Sequence, residues 1–125
     1  MRLWHVDLIS KLPRQQLLGQ HRECCALRGK GWGKKHSTVN YVFEYPYAFL
    51  YQYHLKVMGE MKNRGYKVTR NWWYPNYRGK EIGLEKTEFI SELLECLRGV
   101  NYPEHNQKYY EECINNLKEK GIWIK

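Results

Sequence analysis

A chain of 125 residues with 42% hydrophobic and 27% charged side chains can build one hydrophobic core, which excludes two ordinary domains, a disordered chain and a fibrous repeat. The net charge of +8 is unevenly laid out: residues 1–80 carry 15 basic and 4 acidic side chains, whereas residues 81–125 carry 6 and 9. An anionic partner is therefore expected to meet the N-terminal part. Nucleic acid is the commonest such partner, because clustered Lys and Arg displace counterions from phosphates. No apolar run approaches the roughly 20 residues that span a bilayer. Met1-Arg2-Leu3-Trp4-His5 also lacks the apolar stretch of a signal peptide, so a cytoplasmic protein is expected.

In chain order, Pro13 suits the first turn of a helix over residues 14–28, which the glycines at 29, 31 and 33 close. The stretch from Gly29 to His36 reads as a mobile basic loop. Apolar residues at helical spacing predict a second helix over 47–64, stopped by Gly65. Residues 66–82 set Trp72-Trp73-Tyr74-Pro75 and Tyr77 among Arg70, Arg78 and Lys80 with no clean period, as in a structured aromatic loop. Helical spacing returns over 84–98 and 104–120, each stretch ended by a glycine, Gly99 and Gly121. The expected architecture is all-α: a compact single domain over residues 1–125 with long basic and aromatic loops, no internal repeat and no linker.

On a wheel of about 100° per residue the first helix places Leu17, Leu18, His21, Cys24 and Cys25 toward the core. Gln15, Gly19, Arg22, Glu23 and Ala26 gather on the other side, a cation, an anion and an amide around two very small residues. A ligand can approach such a backbone closely, or a second helix can cross there. The lone carboxylate does not suit a glycosidase of the paired-carboxylate type. Phosphate loops, His-Glu-x-x-His and nucleophile elbows are all missing. The four cysteines, Cys24, Cys25, Cys96 and Cys113, never fall at two-residue spacing, so reduced thiols without a metal are expected.

At this helix the sequence resembles the pyrimidine-dimer DNA glycosylase family. Leu8-Ile9-Ser10-Lys11-Leu12, Gln15, Leu17 and Arg22-Glu23 carry the resemblance, followed by His36, the run Val39 to Phe43, and Met61-Lys62-Asn63-Arg64-Gly65-Tyr66. The resemblance implies a compact helical enzyme that acts on double-stranded, damaged DNA without metal or cofactor. Its own N-terminal α-amine would attack the sugar C1′, form a Schiff base in place of the glycosidic bond, and cut the strand by β-elimination. Glu23 would handle protons and stabilise the imine, and Gln15 and Arg22 would hold the strand near the lesion. Arg2 is bulky enough for Met1 to be retained, which makes the Met1 amine, with Arg2 beside it, the expected nucleophile. Leu3 and Ala26 stand where the family carries arginines, and Arg2 and Arg28 are the expected substitutes. Lys34, Lys35 and His36 would add DNA contacts from the basic loop, and the protein is expected to be a monomer.

Chemistry favours such a nucleophile. An α-amine of pKa near 7.8 is about 14% free base at pH 7, against roughly 0.04% for an ordinary lysine. Two other readings stay open on the residues alone. One is a noncatalytic nucleic-acid or nucleotide binding module using Arg2, Arg22, Lys34 and Lys35. The other is a protein-interaction domain built on exposed aromatics. Trp32 and the aromatic loop suit either a wedge at an unstacked base or plain core packing.

Overall fold

The computed structural model describes residues 2–34, 39–84 and 99–124. The helix expected over 84–98 lies almost wholly outside these residues, as do Met1, Lys35 and His36.

The chain starts as an extended segment and enters a 3-10 turn, Val6–Lys11, whose first turn is capped by His5 Nδ1 accepting from the Asp7 backbone N–H. Pro13 then opens α1, Arg14–Arg28. A second 3-10 turn, Asn40–Glu44, leads through Pro46 into α2, Tyr47–Asn63. A third, Arg70–Trp73, sits in the aromatic loop, and α3 covers Gln107–Glu119. Among the described residues no strand ladder forms, and one isolated antiparallel bridge joins Tyr77 to Leu84. No described helix is long and apolar enough to cross a membrane. The fold is all-α, as expected.

Local chemistry explains the helix ends. Past α2, Gly65 takes φ 83° and donates to Lys62 O, while Tyr66 N–H reaches Met61 O. Past α3, Gly121 donates to Lys118 O and Ile122 to Leu117 O. Both are the two-bond ending that a left-handed glycine makes possible. The start of α3 falls at Gln107 rather than 104, because the Asn106 side chain accepts from Tyr109 N–H and sets the cap there. Residues 29–34, expected as a mobile loop, form hydrogen-bonded turns instead. Gly29 and Gly31 serve close approach: a Cβ on Gly29 would come within 2.9 Å of Arg78 O, and one on Gly31 within 2.7 Å of Ala26 O.

The core forms where α1 packs on α2, with the first two 3-10 turns also set against α2. Leu3, Leu8, Leu12, Leu17, Leu27, Leu50, Val57 and Met61 are buried in it. Leu3 is therefore a core residue. The buried arc of α1 is turned from the expected one: Leu17 and Cys24 are buried, Leu18, His21 and Cys25 are half-buried, and Gln20, Leu27 and Arg28 join the interior.

Arg28 corrects the sequence reading. It is 0% exposed and cannot contact DNA. Its Nε donates to Tyr47 OH, its Nη1 to His54 Nδ1 and Trp72 O, and its Nη2 to Tyr74 O and Tyr77 O. These bonds use all five N–H groups of a guanidinium, which is why the charge is tolerated inside. Arg78, also buried, donates from Nε to Arg28 O and lies over the rings of Tyr47 and Trp32. The two arginines bind the aromatic loop to α1 and α2. Trp32 meets Phe43 and Tyr47 edge-on and Trp72 meets His54 and Tyr77, so both rings are used in packing.

Candidate active site

Glu23 lies on α1 one turn after Gln20, and the amide of Gln20 joins it to the start of the chain. Gln20 is 1% exposed. Its Oε1 accepts from Trp4 N–H at 2.6 Å and lies 2.9 Å from the Tyr53 hydroxyl, whose one proton goes to Trp4 O. Its Nε2 donates to Arg2 O at 3.0 Å and to Glu23 Oε2 at 3.1 Å. Both N–H groups of this amide are used, so Glu23 and the Arg2 backbone are held against one nitrogen.

A pocket of about 230 Å³ opens at this point, lined by Arg2, Trp4, Glu23, Asn116 and Lys120. Two cations and one carboxylate thus face a common space. Arg2 also meets Glu112 at 3.4 Å and lies over the Tyr109 ring at 5.6 Å. Burial lifts the Glu23 carboxyl above its ordinary value. The charge of the amino terminus, the Arg2 backbone N–H, the Gln20 amide and Arg22 pull it back down. A carboxyl raised by burial holds its proton more readily than a solvated one, which suits a group that is to carry protons.

The outer face of α1 is as the sequence suggests. Gln15 and Arg22 are exposed, and a Cβ placed on Gly19 would meet only the Arg22 guanidinium, at 3.7 Å, among the described residues. No helix among the described residues crosses there, and these residues leave the backbone at Gly19 open. Lys34 is exposed at the end of the turn after α1. The structure thus gathers Arg2 and Glu23 in one pocket, sets Gln15 and Arg22 on an open face, and removes Arg28 from the set. Met1, Lys35 and His36 lie outside the described residues.

Sequence reasoning missed Gln20. The signal was present, because on the wheel this amide falls between Cys24 and Leu27, inside an apolar arc, where a polar side chain needs a buried partner. It also missed a second cluster. Donor atoms of His21, Cys25 and His54 all lie within 4.8 Å of one another. Arg28 must donate to His54 Nδ1, so the neutral His54 ring carries its proton on Nε2 and passes it toward His21 Nδ1, 2.8 Å away. Burial, then Arg28, holds both imidazoles below their ordinary value, and burial pushes the Cys25 thiol up to about 12. With Arg28 on one nitrogen of His54 and His21 on the other, these groups make a hydrogen-bonded chain.

Fold and site define a small all-α protein with a basic face and a carboxylate sheltered beside its own first residues. The sequence model of the pyrimidine dimer DNA glycosylase family matches residues 1–74, more than half of the chain, and the chain belongs to that family. The match covers Gln20, Glu23 and all of α1 and α2, and stops before α3. No curated protein and no solved structure matches the chain.

Proposed function

We propose that this protein is a DNA glycosylase with abasic-site lyase activity that works through the α-amine of Met1, with Glu23 as its acid and base. The free-base amine attacks C1′ of a damaged pyrimidine nucleotide. The bond to the base breaks, the base leaves with a proton, and an imine joins the chain to the opened sugar. Loss of a C2′ proton then expels the 3′ phosphate and cuts the strand. Protonated Glu23 serves the leaving base or ring oxygen, and its carboxylate takes the C2′ proton and faces the cationic imine. Arg2 would meet the substrate's phosphates in the pocket, and Gln15, Arg22, Lys34, Lys35 and His36 would hold duplex DNA. Amine and carboxylate both come from one chain, so the reading needs no metal, cofactor or second subunit, and an intracellular monomer is its simplest form.

The observation that carries this reading is the shared Gln20 nitrogen, which bonds both Arg2 O and Glu23 Oε2. It keeps the carboxylate one amide away from the beginning of the chain. Reductive trapping tests it. Borohydride added to the protein on an abasic or dimer-containing duplex should give a covalent protein–DNA adduct, and acetylating the α-amine should abolish it. No adduct on either duplex, with salt-sensitive binding unchanged by acetylation, would leave a noncatalytic binding module instead.

A further inference from the structure

Residues 2–5 belong to no helix or ladder, yet their backbone polar groups, and the N–H of Val6 where the first 3-10 turn begins, are bonded by side chains from the rest of the fold. Arg2 O and Trp4 N–H are held by Gln20 of α1. Leu3 O accepts from the hydroxyl of Tyr109 on α3. Trp4 O accepts from the hydroxyl of Tyr53 on α2. Val6 N–H donates to Nδ1 of His105, just ahead of α3, at 3.1 Å. His105 is fixed in turn: with Nδ1 accepting, its neutral ring carries the proton on Nε2 and donates it to Tyr41 OH, 2.8 Å away. The imidazole of His5 stacks on the same ring at 5.4 Å.

Such a pattern is more than the burial of an extended segment requires. Three helices each contribute a side chain, and the chain is gripped at four points within five residues. Two of the gripping residues, His105 and Tyr109, lie beyond the part of the chain that matches the family. We infer that Tyr53, His105 and Tyr109 are positioning residues for the N-terminal amine: they hold the Arg2–Val6 backbone so that the amine meets the substrate sugar beside Glu23. This inference rests on the proposed amine chemistry and adds that residues near the C-terminus set its geometry. An amine on a loose segment reaches the same pocket in many orientations. A misplacement of about 1 Å at a reacting atom is enough to lose on the order of 100-fold in rate.

Tyr109→Phe tests it, since the ring stays and only the hydroxyl that donates to Leu3 O is lost. Tyr45→Phe is the control, because its hydroxyl bonds Glu104 and touches no residue of the segment. Single-turnover trapping on an abasic duplex should slow by about 10-fold to 100-fold in Tyr109→Phe, with unchanged duplex affinity, and should be unaffected in Tyr45→Phe. The pH profile of trapping should change as well. A carboxylate beside an amine favours the protonated form, so the amine limb should move down in pH as the segment drifts from Glu23. His105→Asn, which can keep an acceptor near Val6 N–H, should retain more of the rate than His105→Leu. Equal trapping rates and pH profiles in wild type and Tyr109→Phe would overturn the positioning role while leaving the amine chemistry intact. Failure of the wild-type protein to form any adduct would remove the chemistry and the positioning role together.

Discussion

On one side of α1, Gln20 and Glu23 meet the start of the chain; on the other, His21 and Arg28 meet α2 and the aromatic loop. Both regions bury polar side chains, and both tie irregular segments to the helical core. They differ in what is left over. Around Arg28 every guanidinium N–H has a partner, and the imidazoles beside it are driven neutral by burial and by its charge. Around Glu23 both N–H groups of the amide are used, but the carboxylate keeps an edge on a pocket that also holds Arg2 and Lys120. A buried charge with all its bonds made is a fastening. One held on a single side, with its proton affinity moved toward neutrality, is equipped for chemistry.

The sharpest test of that contrast is Glu23→Gln. It should lower strand cleavage on an abasic duplex by about 10²- to 10⁴-fold while binding stays near wild type. Arg28→Ala should do the reverse. It leaves a cavity and removes the five hydrogen bonds that join α1 to α2 and the aromatic loop, and the urea midpoint should report a loss of about 3 kcal/mol or more. A stable Arg28→Ala protein with weakened DNA binding would break the comparison, because Arg28 would then be a contact after all. Arg22→Ala stands between the two: stability should change by less than about 0.5 kcal/mol, and the salt dependence of duplex binding should lose a slope of about 1.

Acid exposes the same division. Burial, then His5 and Lys56, pushes His105 down to about 3, and His21 and His54 are also lowered. Below an unfolded value near 6.5 the unfolded chain therefore binds protons that the native one refuses. Denaturant midpoints should be level above about pH 7 and fall steadily as pH drops from about 6.5 toward 3. Glu23 has the opposite sign. Its raised value favours the native state when the group is protonated, and that contribution disappears as pH rises past it. Glu23→Gln should accordingly be slightly more stable than wild type at pH 7, by less than about 1 kcal/mol, the smallest of these effects.

Much of the fold was legible because its signals are local. Pro13 starts a helix, Gly65 and Gly121 end two others, and each acts within a few residues of itself. Glu23, Arg22 and Gln15 could be set on one face of α1 for the same reason. What escaped depends on partners far along the chain. Arg28 reads as surface charge until Trp72, Tyr74 and Tyr77 surround it with carbonyls. Gln20 reads as one more helical glutamine until Trp4 and Tyr53 bring their polar groups to it. The 3-10 turn over Val6–Lys11 is too short for a periodic signal, and it forms where Leu8 and Ile9 find the core.

The bond between Tyr109 and Leu3 closes a separation of 106 residues, and that between Arg2 and Glu112 one of 110. Contacts so distant pay the loop-closure entropy of nearly the whole polypeptide, and they are made late in folding. During synthesis, α1 and α2 leave the ribosome well before α3 exists. The first residues of the chain thus stay unanchored until translation is almost finished, and a product truncated before α3 lacks the bonds from Tyr109 and Glu112 that hold them.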